Sequence, residues 1–192
     1  MSYAELHCVS NFSFLRGASE PRELVHQAHA LGYRAIAITD ECSYAGIVRA
    51  YEASKDTGLS LIVGAEFVLS EGIKLVALAP TFEAYSEISA LISRARRRAE
   101  KGSYVIGQAD FEKHCTQAML IWCPQWPANT TRISASEIEP WLRDHFPGRA
   151  WIAWERFVHH RDDERLALLR RTSTRFGVPL VAAGDVHMHC RS

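Results

Sequence analysis

The sequence predicts a single α/β domain whose strands close, or nearly close, into a barrel. About seven short apolar runs alternate with amphipathic helical stripes, a pattern typical of a largely parallel sheet. Ligand-type residues lie on both the first and the last of these runs, which favours a closed barrel over an open doubly wound sheet. Polar or reactive side chains also follow the ends of the runs: His7, Asp40, Glu66, Cys123, Glu155 and Asp185.

The first half of the chain contains four predicted strands and two predicted helices. The strands cover residues 3–8, 35–38, 61–63 and 75–78, of which the last three are wholly apolar. The first helix takes Ser19 as its N-cap, has Glu23 in its first turn and ends at Gly32. The second helix begins near Ile47 and is closed by Gly58.

The second half is predicted to add three strands and two helices. The strands cover residues 119–122, 151–154 and 178–183. One helix starts near Phe82 and runs into a basic segment, and another, marked by Leu169 and Phe176, leads into the last strand. Residues 124–131 show no periodicity and predict a variable loop.

Composition limits the function classes open to the chain. Its 192 residues are 47% hydrophobic and 23% charged, values that suit one globular domain with a sizeable core. The formal net charge is zero, so no global electrostatic field favours nucleic acid or a membrane. No apolar run approaches the roughly 20 residues of a membrane span, and the chain does not open on a signal-peptide pattern. We therefore expect no membrane partner.

The cysteines indicate a reducing compartment. There are five, an odd number, and they are scattered along the chain without Cys-x-x-Cys spacing. Such a pattern favours free thiols over a disulfide framework. We therefore expect a cytoplasmic protein.

Four short motifs resemble those of the PHP (polymerase and histidinol phosphatase) domain. They are His7-x-x-Ser10, Thr39-Asp40, Gly64-Ala65-Glu66 and Gly184-Asp185-Val186-His187. The resemblance implies a distorted (βα)7 barrel, which agrees with the strand count above. It covers residues 1–192 as a single PHP domain.

Longer segments are similar to the N-terminus of bacterial error-prone DNA polymerases of the DNA polymerase III alpha family. These segments are residues 10–19, 39–43, 96–104, 146–151 and 186–189. The resemblance implies a domain of a much longer, lesion-tolerant DNA-directed DNA polymerase that serves DNA repair and translesion synthesis. It implies as partners the downstream polymerase domains of the same chain, DNA bound through the parent enzyme, and other translesion or mutagenesis proteins. The parent would use Mg²⁺, whereas this piece would not polymerise.

The resemblance also carries metal-ligand positions onto this sequence, and several are altered. His7 matches the first histidine of an opening His-x-His pair, but Val9 replaces the second and cannot bind a metal. Arg16 stands where an acidic or histidine ligand is usual, and its permanent charge repels a cation. The candidates that remain are His7, Asp40, Glu41, Glu66, Asp185 and His187, with Glu41 in place of a histidine.

This altered ligand set predicts a degenerate metal site. A mixed site of that size suits one divalent ion, Zn²⁺ or Mn²⁺, rather than a multinuclear cluster. The two middle histidines of the family have no clear match, although His114 and Cys123 lie in the right region. Two alternatives stay open: a metal-free, hydrogen-bonded polar centre around His7, and a role for Asp40 as a loop anchor or helix cap.

Three functions compete for this chain. The leading one is a structural module that packs against the polymerase palm and thumb and has lost most of its own chemistry. The second is a metal-dependent phosphoesterase or 3′–5′ exonuclease. The third, a free-standing phosphatase of the histidinol-phosphatase type, shares the fold but not the polymerase-like segments. Metal content separates the first two.

A cluster of cations lies at the end of the third predicted helix. Its members are Arg94, Arg96, Arg97, Arg98 and Lys101. They predict a contact with DNA or with a neighbouring polymerase domain. The alternative is a solvated helix end whose cations complement the helix dipole. Because the net charge is zero, DNA binding by this chain is expected to be weak and steeply salt-dependent.

Overall fold

The computed structural model describes residues 3–126 and 138–190, and within them seven strands alternate with six helices. The strands are β1 (Ala4–Glu5), β2 (Ala35–Ile38), β3 (Ser60–Val68), β4 (Lys74–Leu78), β5 (Met119–Trp122), β6 (Ala150–Glu155) and β7 (Leu180–Ala183). The helices are α1 (Pro21–Ala30), α2 (Ile47–Thr57), α3 (Phe82–Arg97), α4 (Gln108–His114), α5 (Ile138–His145) and α6 (Asp162–Phe176).

The strands form one sheet in the order β1 to β7, which curls into a nearly closed barrel and confirms the predicted fold class. Most neighbours are parallel, but β4 runs antiparallel to both β3 and β5. The connection between β3 and β4 explains this reversal. Residues 69–73 turn back at Gly72, which has a φ of 77°, whereas a parallel crossover needs about a dozen residues or more. The expectation of a largely parallel sheet therefore fails at β4.

A short seam, rather than a regular ladder, closes the barrel between β7 and β1. Cys8 and Val186 pair as an isolated parallel bridge, and the Val186 amide donates to the His7 carbonyl at 2.9 Å. The buried Glu5 carboxylate accepts hydrogen bonds from the backbone N–H groups of His7 at 2.9 Å and Gly184 at 2.8 Å. One side chain thus joins the first strand to the last.

The predicted helix boundaries hold at Gly58 and fail at Ser19. Gly58 ends α2 at a φ of 73°, a conformation that glycine adopts without strain. The N-cap of α1 is Glu20 rather than Ser19, and the Glu20 amide donates to Glu23 Oε2 at 2.8 Å. Ser19 is buried, and its Oγ accepts a hydrogen bond from the His189 amide at 2.9 Å. It fixes the segment after β7 instead of capping a helix.

The sequence pattern does not predict α4 or α5. These helices have 7 and 8 residues, too few to display a full apolar stripe. The predicted variable loop at residues 124–131 lies mostly outside the described part of the chain. Of the helices that are described, none combines the length and the apolar character needed to cross a membrane.

Apolar packing fills the barrel below its polar end. A cluster that includes Ala37, Val76 and Ala153 unites strands from both halves of the chain. At the N-terminal end of the parallel strands, Leu6 and Trp151 help to line an apolar cavity of about 420 Å³. The charged side chains described below lie at the opposite end of the barrel, where the parallel strands terminate.

We expect Gly184→Ala to destabilise the barrel, because a methyl group there would overlap Glu5 Oε2 and displace the carboxylate that closes the seam. Loss of hydrogen bonds to this buried group should lower the free energy of unfolding by about 2–3 kcal/mol. Urea unfolding followed by circular dichroism measures the change.

Gly107→Ala is the matched control for this substitution. Its added methyl group would meet the exposed Glu71 carboxylate at 3.0 Å, and that side chain can move aside. A Gly184 variant with the urea midpoint of the parent would show that the seam does not depend on Glu5.

Candidate metal centre

His7 lies at the middle of a buried group of charged side chains. It follows β1, has no accessible surface, and places both ring nitrogens against carboxylates. Nδ1 is 2.7 Å from Glu155 Oε1, and Nε2 is 2.7 Å from Glu66 Oε2. Burial by itself would lower the pKa of the imidazole, but the hydrogen bonds to Glu155 and Glu66 raise that pKa well above its ordinary value. An imidazolium that donates from both nitrogens satisfies this geometry.

Cys123 follows β5 and lies beside this imidazole, with Sγ 3.7 Å from His7 Nδ1. Burial raises the pKa of the Cys123 thiol to about 12. The sulfur is therefore a neutral thiol near pH 7, and Glu66 and Glu155 keep the imidazole charged. His114, the other residue considered for a middle ligand, lies in the last turn of α4, outside this group.

Glu66, in β3, is the anion on which the cations converge. Arg16 donates from Nη1 to Oε1 and from Nη2 to Oε2, the latter at 3.1 Å, as a bidentate pair. Lys74, the first residue of β4, places Nζ 3.1 Å from the same Oε2. Burial by itself would raise the pKa of Glu66, but hydrogen bonds from His7 and Arg16 and the charge of Lys74 lower that pKa to about 2. Glu66 is therefore ionised, with protein cations on both oxygens.

The turn after β7 brings Asp185 and His187 to this centre. Asp185 has a φ of 47°, a left-handed conformation uncommon outside glycine. Its Oδ1 lies 3.0 Å from His187 Nε2 and 3.5 Å from His7 Nε2, and its Oδ2 lies 3.4 Å from Lys74 Nζ. Burial by itself would raise the pKa of Asp185, but the His187 hydrogen bond and the charges of His7 and Lys74 lower it well below its usual range.

Asp40 anchors a loop and does not join the group around His7. It is buried after β2, and its Oδ1 accepts hydrogen bonds from the Ser10 amide at 2.8 Å and from Ser13 Oγ at 2.7 Å. Its Oδ2 accepts from Ser10 Oγ at 2.8 Å. A methyl group on Gly46 would come within 2.6 Å of this oxygen, so the packing requires glycine. The geometry matches the loop-anchor alternative for Asp40.

Glu41 supports Arg16 from the outer side of the centre. Its Oε2 accepts a hydrogen bond from Arg16 Nη1 at 2.8 Å, and its Oε1 accepts one from the Tyr104 hydroxyl at 2.8 Å. About a quarter of each side chain in the Arg16–Glu41 pair is exposed, whereas Glu66 is fully buried. Glu41 therefore holds the guanidinium in place and does not reach His7.

The basic segment divides into inward and outward cations. Arg96 donates to the carbonyls of Glu41 at 3.0 Å and Cys42 at 3.2 Å, which fastens α3 to the loop after β2. Arg98 pairs with Asp110 at 2.7 Å. Both side chains thus have partners within the domain. Arg94, Arg97 and Lys101 are exposed, and so is Arg98 despite its pair with Asp110.

The spacing of two groups of ligand atoms suits one divalent cation. The groups, each with ligand atoms within 4.8 Å of one another, are His7, Glu66 and Asp185, and His7, Cys123 and Glu155. The charges, however, oppose an ion, because Lys74 contacts both Glu66 and Asp185. Hydrogen bonds from both His7 nitrogens also leave that ring without a lone pair for a metal. As these side chains stand, they fit an internal ion network and not a metal ion.

Sequence reasoning misses two residues that define this region, Lys74 and Glu5. Lys74 precedes an apolar run and resembles the solvated start of an ordinary strand. The sequence feature that could have located Lys74 is the short connection at residues 69–73. This connection reverses β4 and so brings the first residue of that strand to the polar end of the barrel. Glu5 lies inside a predicted strand, where a buried carboxylate is not expected.

Comparison with known proteins finds one family over most of the chain. The family model described as PHP domain matches residues 5–165. Two relatives, both named error-prone DNA polymerase, come from Dechloromonas aromatica (51% identity over 192 residues) and Methylococcus capsulatus (47% over 190 residues). The matches cover 99% and 98% of this chain but 18% of each relative. The chain thus spans less than a fifth of the length of these relatives.

Two solved structures share the fold at low sequence identity. A protein from Bifidobacterium adolescentis assigned as a metal-dependent phosphoesterase has a TM-score of 0.66 and 19% identity. An amidohydrolase from Chromobacterium violaceum has a TM-score of 0.61 and 17% identity. Each comparison covers 97% of this chain and 88% of the other chain. At these identities the likeness shows the fold alone.

The lowered pKa of Glu66 predicts a loss of stability in acid. In the folded chain the pKa is about 2, below its ordinary value of 4.5. The contribution of Glu66 is therefore complete above pH 4.5 and is lost as the pH falls toward 2, a change on the order of 3 kcal/mol. We expect the urea midpoint to fall over this range, and to fall less steeply in a Glu66→Gln variant.

Glu52→Gln is the control for this measurement, because Glu52 is exposed and its pair with Arg22 at 3.6 Å lies on the surface. It should keep the pH dependence of the parent. Equal slopes for the parent and the Glu66 variant would contradict the assignment.

Proposed function

The chain belongs to the PHP domain family, and from this premise we propose that residues 1–192 are the N-terminal PHP domain of an error-prone, lesion-tolerant DNA polymerase of the bacterial DNA polymerase III alpha family. The support is 51% and 47% identity to two proteins named error-prone DNA polymerase, together with the polymerase-like segments of the sequence. Because the match covers 18% of each relative, the palm, thumb and fingers are proposed to lie in the rest of the parent chain.

Within that enzyme the domain serves as a structural module and not as a second catalytic site. The observation that carries this proposal is the Glu66 carboxylate, which binds Arg16 and lies 2.7 Å from His7 Nε2 and 3.1 Å from Lys74 Nζ. A metal cluster that activates water would need these oxygens as ligands. The polymerase chemistry and its Mg²⁺ are accordingly assigned to other domains of the parent.

The proposed partners follow from this assignment. The palm and thumb of the same chain pack against the domain, DNA is reached through the parent, and other translesion or mutagenesis proteins join them. Arg94, Arg97 and Lys101 are the cations proposed to face DNA or a neighbouring domain, since all three are exposed and Arg98, which is also exposed, is paired with Asp110. The free cysteines and the DNA partner support a cytoplasmic location.

A second candidate function is a metal-dependent phosphoesterase or 3′–5′ exonuclease with one Zn²⁺ or Mn²⁺. Two observations favour it: the spacing of the ligand atoms of His7, Glu66 and Asp185, and the fold shared with a protein assigned as a metal-dependent phosphoesterase. An ion bound there would have to displace the Lys74 ammonium, which contacts two of the three ligands. Metal content and activity separate the two functions.

We expect the purified domain to carry far less than one divalent ion per chain by elemental analysis. EDTA should leave its thermal midpoint unchanged, because no bound ion is expected to contribute to stability. Removal of a tightly bound ion would instead lower the midpoint, since it withdraws several kcal/mol of binding free energy. The domain should not digest single-stranded or mismatched primer ends with added Mn²⁺ or Zn²⁺. Metal-dependent digestion that disappears in an Asp185→Asn, His187→Ala double variant would establish the second function instead.

In the complete polymerase we expect His187→Ala to leave primer extension within about twofold of the parent, because nucleotide transfer is assigned to other domains. Phe67→Ala removes a fully buried ring of β3 and should lower the temperature of thermal inactivation, since such a cavity costs about 3–5 kcal/mol. Phe82→Ala is the control, because Phe82 is largely exposed. Loss of extension in the His187 variant at permissive temperature would contradict a purely structural role.

A further inference from the structure

The Lys74 ammonium lies between two of the candidate metal ligands, Glu66 and Asp185. Lys74 is the first residue of β4, and its side chain is 9% exposed. Nζ lies 3.1 Å from Glu66 Oε2 and 3.4 Å from Asp185 Oδ2. These two carboxylates also approach His7 Nε2, at 2.7 Å and 3.5 Å. The ammonium therefore contacts the two anionic members of the three-residue group that could ligate one cation.

Strand direction explains how a lysine reaches this position. Lys74 pairs with Val68 across the antiparallel β3–β4 ladder, at the end of the barrel where the parallel strands terminate. Side chains alternate along a strand, so Lys74 shares a face with Val76 and Leu78, which belong to the cluster that unites the strands. The lysine stem thus continues the apolar interior, and its charge ends between the carboxylates.

Arg16 contacts the same Glu66 but in a different way. Its guanidinium bridges Glu66 and Glu41, and about a quarter of the side chain is exposed. Within the part of the chain that the structure describes, Arg16 pairs with Glu41 and Glu66, whereas Lys74 pairs with Glu66 and Asp185. Arg16 therefore covers Glu66 from outside, while Lys74 lies inside the ligand group.

We infer that the Lys74 ammonium takes the place of a divalent cation, so that its removal opens a Zn²⁺-class site formed by His7, Glu66 and Asp185. The mixed imidazole and carboxylate set is of the kind that Zn²⁺ accepts. A divalent ion ligated by both carboxylates would lie at about 2.0–2.2 Å from their oxygens, in the space that Nζ now fills. The inference rests on the proposed metal-free centre: Lys74 fills the place of the ion, and His7, which now donates from Nε2, would release that proton when an ion binds there.

The test compares Lys74→Ala with three other proteins: the parent, Lys74→Arg, which keeps a cation at the site, and Lys113→Ala, which removes an exposed lysine elsewhere. Zn²⁺ is titrated into each by isothermal calorimetry, and metal content is measured after gel filtration. We expect Lys74→Ala to bind close to one Zn²⁺ per chain, at least about tenfold more tightly than the others. Its thermal midpoint should fall in EDTA and recover when Zn²⁺ is added.

A Lys74→Ala, Asp185→Asn double variant places the ion, because it should lose the Zn²⁺ that Lys74→Ala gains. If Lys74→Ala does not fold with or without Zn²⁺, Lys74→Gln replaces it and the same two measurements decide. A folded, uncharged variant at position 74 that binds no more Zn²⁺ than the parent would overturn the inference. Stoichiometric metal in the parent itself would instead overturn the proposed metal-free centre, so the two failures are distinguishable.

Discussion

The neutralisation of one buried carboxylate, Glu66, is the constraint on which the rest of this structure depends. A buried charge without partners is strongly destabilising, and Glu66 is fully buried in β3. Its partners come from three places: His7 after β1, Arg16 in the loop that follows, and Lys74 at the start of β4. The pairing of β1, β2 and β3 and the reversal of β4 bring them together.

The need to neutralise Glu66 also explains what the side chains do at the positions that the family resemblance assigns to metal ligands. Asp40 receives hydrogen bonds from Ser10 and Ser13, which holds the loop that carries Arg16. Glu41 then fixes the guanidinium of Arg16 through a direct ion pair. Carboxylates at positions that the family resemblance assigns to a metal thus serve the chain's own cations. In this structure the charge of the polar centre is balanced by side chains of the chain itself.

The sequence predicts the strands well because apolar runs carry a strong local signal. Strand β5 begins and ends as predicted, β2 does as well, and the barrel closure inferred from His7 and Asp185 is confirmed. Strand direction is different, since an apolar run looks the same whichever way it points, so the pattern does not predict that β4 is antiparallel. Lys74 could not be placed without that direction. Orientation also separates Arg96, whose guanidinium turns toward two backbone carbonyls, from its exposed neighbours in the same basic segment.

The seam between β1 and β7 also sets the order in which a newly made chain can complete its fold. Glu5 and Gly184 are 179 residues apart in sequence, and His7 and Glu155 are 148 apart. The ribosome therefore releases the first strand long before the last one exists, and contacts of such long range form late. Until then β1 is an unpaired edge, with Glu5 and His7 open to water. Translation that pauses before residue 184 leaves this edge exposed to chaperones and proteases, which makes completion of the barrel a natural point of quality control.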